Sequence, residues 1–325
     1  MSPRVAKAIA PMLATPAKAL PRGDDWATEV KWDGVRVIAR VDHGTILLTS
    51  RNLLDITGRY PELAGLADAL EGRGTVVLDG EVVAFGEDGR PSFQRLQERM
   101  HLASDAGVKA RMAEVPVLYA IFDVLVLGSR ALFDQPWSAR REALESLALN
   151  DGSSWQVPTA HLGAEAGAAV FDATKQTGLE GVVTKRVTST YEPGKRSRHW
   201  LKVKHTKSQE LVIGGWASGE GRRAGRIGAL LLGYHDDAGA LRYAGNVGTG
   251  FTERILDELA ATFAPRVRPD PPFVNPPRLP DVTWIEPDLV AEIAFTEWTR
   301  EGTLRHPSFK GLRDDKPAAD VVRES

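Results

Sequence analysis

Four segments of this chain place charged side chains inside runs that otherwise read as buried β-strand. They are Glu29-Val30-Lys31-Trp32-Asp33-Gly34-Val35-Arg36, Leu78-Asp79-Gly80-Glu81-Val82-Val83, Leu179-Glu180-Gly181-Val182-Val183-Thr184-Lys185 and Arg198-His199-Trp200-Leu201-Lys202-Val203-Lys204. Side chains two apart in a strand share a face. Lys31 therefore goes with Asp33, Asp79 with Glu81, and Lys202 with Lys204, while Leu201 and Val203 point the other way. Burying so many charges is costly unless they meet opposite charges or a ligand. Each segment alone fits a half-buried strand with a solvated face. Together they supply acids for a divalent cation and lysines for phosphate oxygens, on segments apolar enough to be core.

Lys31 carries the sharpest chemistry. An ordinary lysine is protonated at neutral pH and cannot attack an electrophile; burial and nearby cations lower its pKa and free the lone pair. Its apolar neighbours, the carboxylate of Asp33 and the guanidinium of Arg36 suit a nucleophile aimed at a nucleotide phosphate. Alone, Lys-x-Asp-Gly reads equally as a surface lysine on an edge strand, so its weight comes from the other segments.

Residues 35–41 and 45–49 read as strands about the hairpin signal Asp42-His43-Gly44. Residues 55–70 carry helical spacing (Tyr60, Leu63, Leu66, Leu70), with Pro61 tolerable only near the first turn. Residues 76–85 read as a strand, Ser92 as the cap of a helix reaching residue 100, 115–127 as a strand interrupted by Asp123, and 138–149 as a helix. The composition changes near residues 204–208. Short strands (211–216, 229–234, 241–247) then alternate with glycine-rich turns, a helix covers 252–262, prolines crowd 265–280, and strands follow at 282–285 and 290–296. Such a pattern fits a small, partly closed barrel. Two domains are expected, 1–205 and 206–325.

With 325 residues the chain can build two cores. It has no cysteine, which excludes disulfides, thiolate zinc sites and cysteine nucleophiles. No apolar stretch approaches the roughly 20 residues that span a bilayer, and Met1-Ser2-Pro3-Arg4 lacks the apolar segment of a secretory signal. A cytoplasmic protein without membrane contact is expected. The net charge of −2 is low for a non-specific DNA coat. Local cations are nonetheless dense in Lys195-Arg196-Ser197-Arg198-His199, Lys202-Val203-Lys204-His205-Thr206-Lys207 and Gly219-Glu220-Gly221-Arg222-Arg223-Ala224-Gly225-Arg226. Those runs read either as phosphate contacts or as solvated charged turns.

Joined by Ser50-Arg51-Asn52, Ile121-Phe122-Asp123 and Arg305-His306-Pro307-Ser308-Phe309-Lys310-Gly311-Leu312-Arg313-Asp314-Asp315-Lys316, the charged segments follow the motif order of the covalent nucleotidyltransferases. Over essentially its whole length the chain resembles an ATP-dependent DNA ligase. More narrowly, it resembles the ligase module of bacterial non-homologous end-joining ligases. The resemblance implies an α+β fold: a nucleotidyltransferase (adenylation) domain with antiparallel sheets and flanking helices, followed by an OB-fold β-barrel.

It further implies roles. Lys31 attacks the α-phosphorus of ATP, expels pyrophosphate and becomes lysyl–AMP; the AMP passes to a 5′-phosphate at a nick, and the 3′-hydroxyl seals the strand. Glu29 and the Val30 backbone read the adenine edge. Phe122 stacks on adenine, although a core aromatic would occupy the same position. Arg36 and Arg51 hold ribose and phosphate oxygens, Glu81 accepts from a ribose hydroxyl, and Lys185 lines the nucleotide. Lys202 and Lys204 contact the α-phosphate and lower the pKa of Lys31. Glu180, Glu81 and Asp33 bind Mg²⁺ or Mn²⁺, with Asp33 also serving the later steps. Arg313, Asp314 and Lys316 orient the departing pyrophosphate, which calls for a hinge near 204–208.

The implied partners are nicked or broken duplex DNA, the end-binding protein Ku, and polymerase and nuclease modules; the chain itself is expected to be a monomer in the bacterial cytosol or nucleoid. About thirty residues precede Lys31, too few for the helical DNA-clamping domain of eukaryotic ligases. RNA ligases and GTP-using capping guanylyltransferases share the lysine and stand as alternatives, as does a non-catalytic nucleic-acid-binding barrel beside a degenerate nucleotide domain. NAD-dependent ligases are disfavoured because they build a zinc site on cysteines.

Overall fold

The computed structural model describes residues 8–100, 102, 105–149, 152–205, 207–219, 225–299 and 301–324. The chain divides into two compact units, Met1–His205 and Thr206–Ser325.

The first unit holds two sheets. One has the order β1 (Leu13–Pro16), β11 (Arg196–Lys204), β10 (Gly181–Arg186), β2 (Trp26–Val30) and β9 (His161–Leu162). The other has the order β4 (Thr45–Ser50), β3 (Val35–Asp42), β5 (Val76–Ala84), β6 (Val117–Leu127) and β7 (Arg130–Ala131), with β8 (Trp155–Gln156) beside β6. Period-two alternation sorts β3 between two cores. Val35, Val37, Ala39 and Val41 join one cluster with Leu63, Leu66 and Leu96. Ile38 joins the other, with Val77, Phe122, Ala27, Met12, Tyr191 and Trp200, contributed by both sheets. The charged strand residues therefore border a core formed where the sheets face each other.

The helices are α1 (Leu66–Ala69), α2 (Phe93–Met100), α3 (Asp105–Met112), α4 (Trp137–Glu145) and α5 (Ala164–Gln176). Ser92 starts α2, its Oγ accepting from Arg95 N at 3.2 Å. The helix expected over 55–70 is instead broken into short 3₁₀ turns at Thr57–Arg59 and Pro61–Gly65, followed by the single α turn of α1. Pro61 has no N–H to donate and Tyr60 before it is non-helical at φ −132°, ψ 59°, so the turns cannot join.

In the second unit the order is β14 (Leu241–Val247), β13 (Ile227–His235), β12 (Lys207–Ser218), β16 (Val282–Phe295) and β15 (Val267–Arg268), with β19 (Ser308–Leu312) also on β16. β17 (Glu297–Trp298) and β18 (Leu304–Arg305) form a separate hairpin. Helix α6 (Glu253–Phe263) is capped by Thr252, whose hydroxyl accepts from Ile255 N at 3.2 Å. It packs Ile255, Leu256, Leu259 and Phe263 onto Leu211, Leu230, Ile285 and Ile293. A curled antiparallel sheet with one helix between its third and fourth long strands is the OB-type arrangement. The two strands expected at 282–285 and 290–296 are one strand, β16. Its partner register jumps from Ile213↔Leu289 to Gly215↔Trp284, so Pro287 falls in a bulge where no ladder donor is needed. Residues 220–224 of the basic run 219–226, and Thr206 of the expected hinge, lie outside the described residues.

Candidate active site

The register of the first sheet aligns the charged segments in rows. Thr28 and Glu29 lie opposite Thr184 and Val183, and Val183 lies opposite Lys202. Two rows further, Lys31 N donates to Gly181 O at 2.9 Å, and Gly181 pairs with Lys204. Lys31 and Lys204 thus flank a residue without a side chain. A Cβ at Gly181 would lie 2.1 Å from Val203 O, and its φ of +147° is a conformation L side chains rarely adopt. Gly34 answers a similar demand, since a Cβ there would lie 2.1 Å from Val82 O.

Glu180 fills the space over Gly181. One carboxylate oxygen accepts from Lys31 Nζ, and the other lies 2.7 Å from Lys204 Nζ. Its backbone carbonyl accepts from His205 N at 3.0 Å. Burial works to raise the Glu180 pKa; Lys204 and then Lys31 outweigh it and hold it down at about 2. The Lys31 side chain is only 20% exposed, so the amine stands in a part-buried charge cluster and not in bulk water.

A second group lies deeper. Lys185 Nζ is 2.7 Å from Glu29 Oε2, both residues buried. The ammonium sits 4.3 Å from the Phe122 ring centroid and 4.5 Å from that of Trp200. Desolvation lowers the Lys185 pKa, and Glu29 opposes the shift. Glu29 Oε1 is buried without a hydrogen-bond partner, as are Thr184 Oγ1 and Trp200 Nε1 nearby in the chain's fold, so Glu29 offers an open acceptor. Phe122 stands where β6 is bulged against Asp79 and Gly80, which turns its ring into the core between the sheets. Arg36 Cζ lies 4.4 Å from the same ring centroid, so Phe122 serves both as core aromatic and as a platform for two cations.

Arg36 is committed to Asp79 through Nε at 2.5 Å and Nη2 at 2.7 Å. Burial disfavours its charge, but Asp79 outweighs burial and raises its pKa. Tyr191 completes the cluster: its hydroxyl donates to Asp79 Oδ2 at 2.6 Å and accepts from Met12 N at 2.9 Å. Glu81 is the one β5 residue that is not fully buried, and it lies directly opposite Arg36. Arg51, partly exposed, follows β4. Asp123 of the sequence motif is buried in a two-point pair with Arg140, at 2.8 and 2.9 Å.

Lys31, Glu180 and Lys204 are therefore brought together, with Glu29, Lys185 and Phe122 grouped beside Arg36. The carboxylates Glu180, Glu81 and Asp33 are not gathered into one cluster: among the described residues no three His, Cys, Asp or Glu side chains could jointly hold a metal ion. Arg313 and Lys316 lie in the second unit, each with partners of its own. Arg313 bonds both oxygens of Asp315 at 2.7 and 2.8 Å and Glu292 at 3.0 Å, while Lys316 donates to Glu210 at 3.2 Å. Sequence reasoning missed Tyr191 and Arg140, whose partners lie 112 and 17 residues away.

Comparison with known proteins fits this geometry. Residues 11–204 match the ATP dependent DNA ligase domain family, and residues 223–316 match the ATP dependent DNA ligase C terminal region. The chain is 42% identical over 320 residues to the multifunctional non-homologous end joining DNA repair protein LigD of Mycobacterium tuberculosis, covering 97% of this chain and 40% of the relative. It is 43% identical over 319 residues to the LigD of Mycolicibacterium smegmatis, again covering 97% of this chain and 40% of the relative. The chain thus spans about two-fifths of the length of these relatives. Among solved structures, a mycobacterial DNA ligase D complexed with ATP and MES superposes with a TM-score of 0.71 at 41% identity, covering 97% of this chain and 98% of that one. Among the described residues no helix is long and apolar enough to cross a membrane.

Proposed function

Because the chain belongs to the ATP-dependent DNA ligase family, we propose that it seals 5′-phosphate/3′-hydroxyl nicks and breaks in duplex DNA through an adenylyl group carried on Lys31. The observation that supports this most is the sharing of Glu180 between Lys31 and Lys204. While it donates to Glu180, the Lys31 nitrogen does not offer its lone pair. Nucleotide entry therefore parts Lys31 from Glu180, and Lys204 keeps the carboxylate balanced. Lys31 Nζ, its extra proton released to solvent, then attacks the α-phosphorus, forming the N–P bond as the P–O bond to pyrophosphate breaks in line with it. Lys202 and Lys204 stabilise the negative charge that develops on the phosphoryl oxygens. The same adenylyl group, moved to a 5′-phosphate, gives that phosphate a leaving group that the 3′-hydroxyl can displace.

Glu29 Oε1 is an open acceptor suited to an exocyclic amine, the group that distinguishes adenine from guanine at this edge. Lys185 fixes the Glu29 carboxylate from below. Glu81 and Arg51 take ribose and phosphate oxygens. Arg36, bound to Asp79, aligns the cluster beneath the sugar. Mg²⁺ held with substrate phosphates needs only one or two protein carboxylates, and Glu180, ionised down to about pH 2, fits that requirement for Mg²⁺ or Mn²⁺. A bound divalent ion would neutralise charge on the phosphoryl oxygens. In this reading Arg313 and Lys316, with Asp314 between them in the chain, orient pyrophosphate once the two cations exchange their carboxylate partners for phosphate. The likeness to LigD proteins supports a place in double-strand-break joining in a bacterial cytosol, beside Ku and polymerase or nuclease modules.

The test uses α-labelled ATP and α-labelled GTP in parallel, followed by nicked duplex. Covalent labelling by ATP alone, chased into sealed DNA, is expected. Labelling by GTP, or a label that DNA never discharges, would overturn the reading.

A further inference from the structure

Immediately after the edge strand β4, the chain exposes two adjacent leucines: Leu53 is 42% and Leu54 is 55% exposed. The turn that holds them is fixed. Leu53 N donates to Ser50 O and Ser50 N to Leu54 O, each at 2.9 Å, and Leu54 N reaches Ser50 Oγ at 3.2 Å. Thr49 bridges to Asp55 across its base. Leu53 has φ +63°, a left-handed conformation that is unfavourable for a bulky side chain and that glycine or asparagine would adopt more readily. The sequence thus keeps a large apolar residue at a strained position and leaves it in water. Strain of this kind marks a place where something other than folding selects the side chain.

The position is informative. Ser50 lies opposite Val37, next to Arg36, and Arg36 lies opposite Glu81. The turn therefore sits at the end of the second sheet that carries Arg36 and Glu81, on its outer edge. Arg51 precedes the leucines. The 5′-phosphate that receives the adenylyl group has to come beside the nucleotide that Arg51 and Glu81 hold, so the rigid apolar pair next to Arg51 lies where the deoxyribose edge of a duplex, and a minor groove that admits leucine, would arrive.

We propose that Leu53 and Leu54 form an apolar wedge that packs on the sugar and minor-groove face of duplex DNA beside the nick, immediately after the Arg51 that takes nucleotide oxygens. The inference rests on the ligase reading above and adds to it a surface that touches DNA without touching the nucleotide.

The variants are Leu53→Gly, which removes the side chain and relieves the backbone, and Leu54→Ser. Self-adenylation with α-labelled ATP needs no DNA and is expected to be unchanged in both. Affinity for nicked duplex, read by fluorescence anisotropy, is expected to fall about ten-fold, the loss of roughly one leucine's burial. Sealing of a pre-adenylated nick is expected to show a raised KM. Leu53→Gly is expected to keep or raise the melting temperature, so a loss of DNA binding cannot come from unfolding. Unchanged DNA affinity in both variants would overturn the wedge. A drop in self-association, seen by sedimentation without any change in DNA affinity, would assign the leucines to a second copy of the chain and would also overturn it. If wild-type protein labels with ATP yet never seals DNA, the ligase reading itself fails, an outcome separable from the failure of the wedge.

Discussion

Lys204 Nζ lies 2.7 Å from Oε1 of Glu180, and the other oxygen of that carboxylate accepts from Lys31. One acid is thus shared by two lysines that the register sets on either side of Gly181. The arrangement keeps the Lys31 amine in place before substrate arrives and keeps Glu180 ionised. Nucleotide then competes for Lys31, and Lys204 retains the acid.

Lys204→Met should therefore harm adenylation more than folding. Glu180 keeps one partner, so the melting temperature falls by only a few degrees. Removing a cation aimed at developing phosphoryl charge is expected to slow labelling by about 100-fold. Pre-steady-state labelling with α-labelled ATP measures this; a rate within two-fold of wild type, a margin set by about 0.4 kcal/mol, would exclude a role for Lys204 in the first step.

The acid response follows from Glu180. Its folded pKa of about 2 lies below the ordinary 4.5, so its contribution is complete above 4.5 and is lost as pH falls toward 2. The shift amounts to a stability term on the order of 3 kcal/mol. In buffer free of divalent ions and ATP, Glu180→Gln is expected to flatten the fall in stability across that window. Parallel denaturation curves for wild type and variant between pH 5 and pH 2 would contradict the shared ion pair; the window itself is the one set by the two values above.

Gly181→Ala tests the close approach of backbone strands. A Cβ there meets Val203 O at 2.1 Å at a φ of +147°. The cost is expected to be roughly 2–4 kcal/mol, with loss of labelling even in protein that remains folded at low temperature. Thermal denaturation and labelling at 10 °C, an arbitrary temperature of roughly maximal stability, give the two readouts.

Asp123→Asn isolates a structural pair inside a motif. Asp123 and Arg140 are 1% and 0% exposed and share two hydrogen bonds. Leaving Arg140 half-paired in the interior is expected to cost about 3–5 kcal/mol. Folded protein should still take the label. A stable variant that cannot be adenylated would move Asp123 from the scaffold into the chemistry.

The parts of the site that were legible in the sequence are those in which chemistry fixes residue type and spacing within one strand. Lys31, Glu180 and Lys204 could be singled out because each charge interrupts an apolar run. Phe122 was legible as a position but not in its dual role, because the bulge that turns its ring depends on the pairing of β6 with β5. Tyr191 gave no local signal: its partners Asp79 and Met12 are brought to it only by the packing of the two sheets. The same holds for the Arg36–Asp79 pair, which commits a guanidinium that sequence reading left free for substrate. Helix α5 escaped because its buried positions are small, Gly167 and Thr174, so it shows no apolar stripe. A Cβ at Gly167 would lie 2.7 Å from Thr28 Oγ1, which explains why that face is small. In the second unit the strands and α6 followed their alternation and cap, whereas the pairing of Arg313 with Asp315 and Glu292 required the fold.

The most direct test is peptide mass spectrometry of the chain after incubation with ATP and Mg²⁺. The account predicts a single added adenylyl group on the peptide that contains Lys31, absent from Lys31→Ala. An unmodified Lys31 peptide with the adduct on Lys202, Lys204 or Lys185, or no adduct at all, would contradict it.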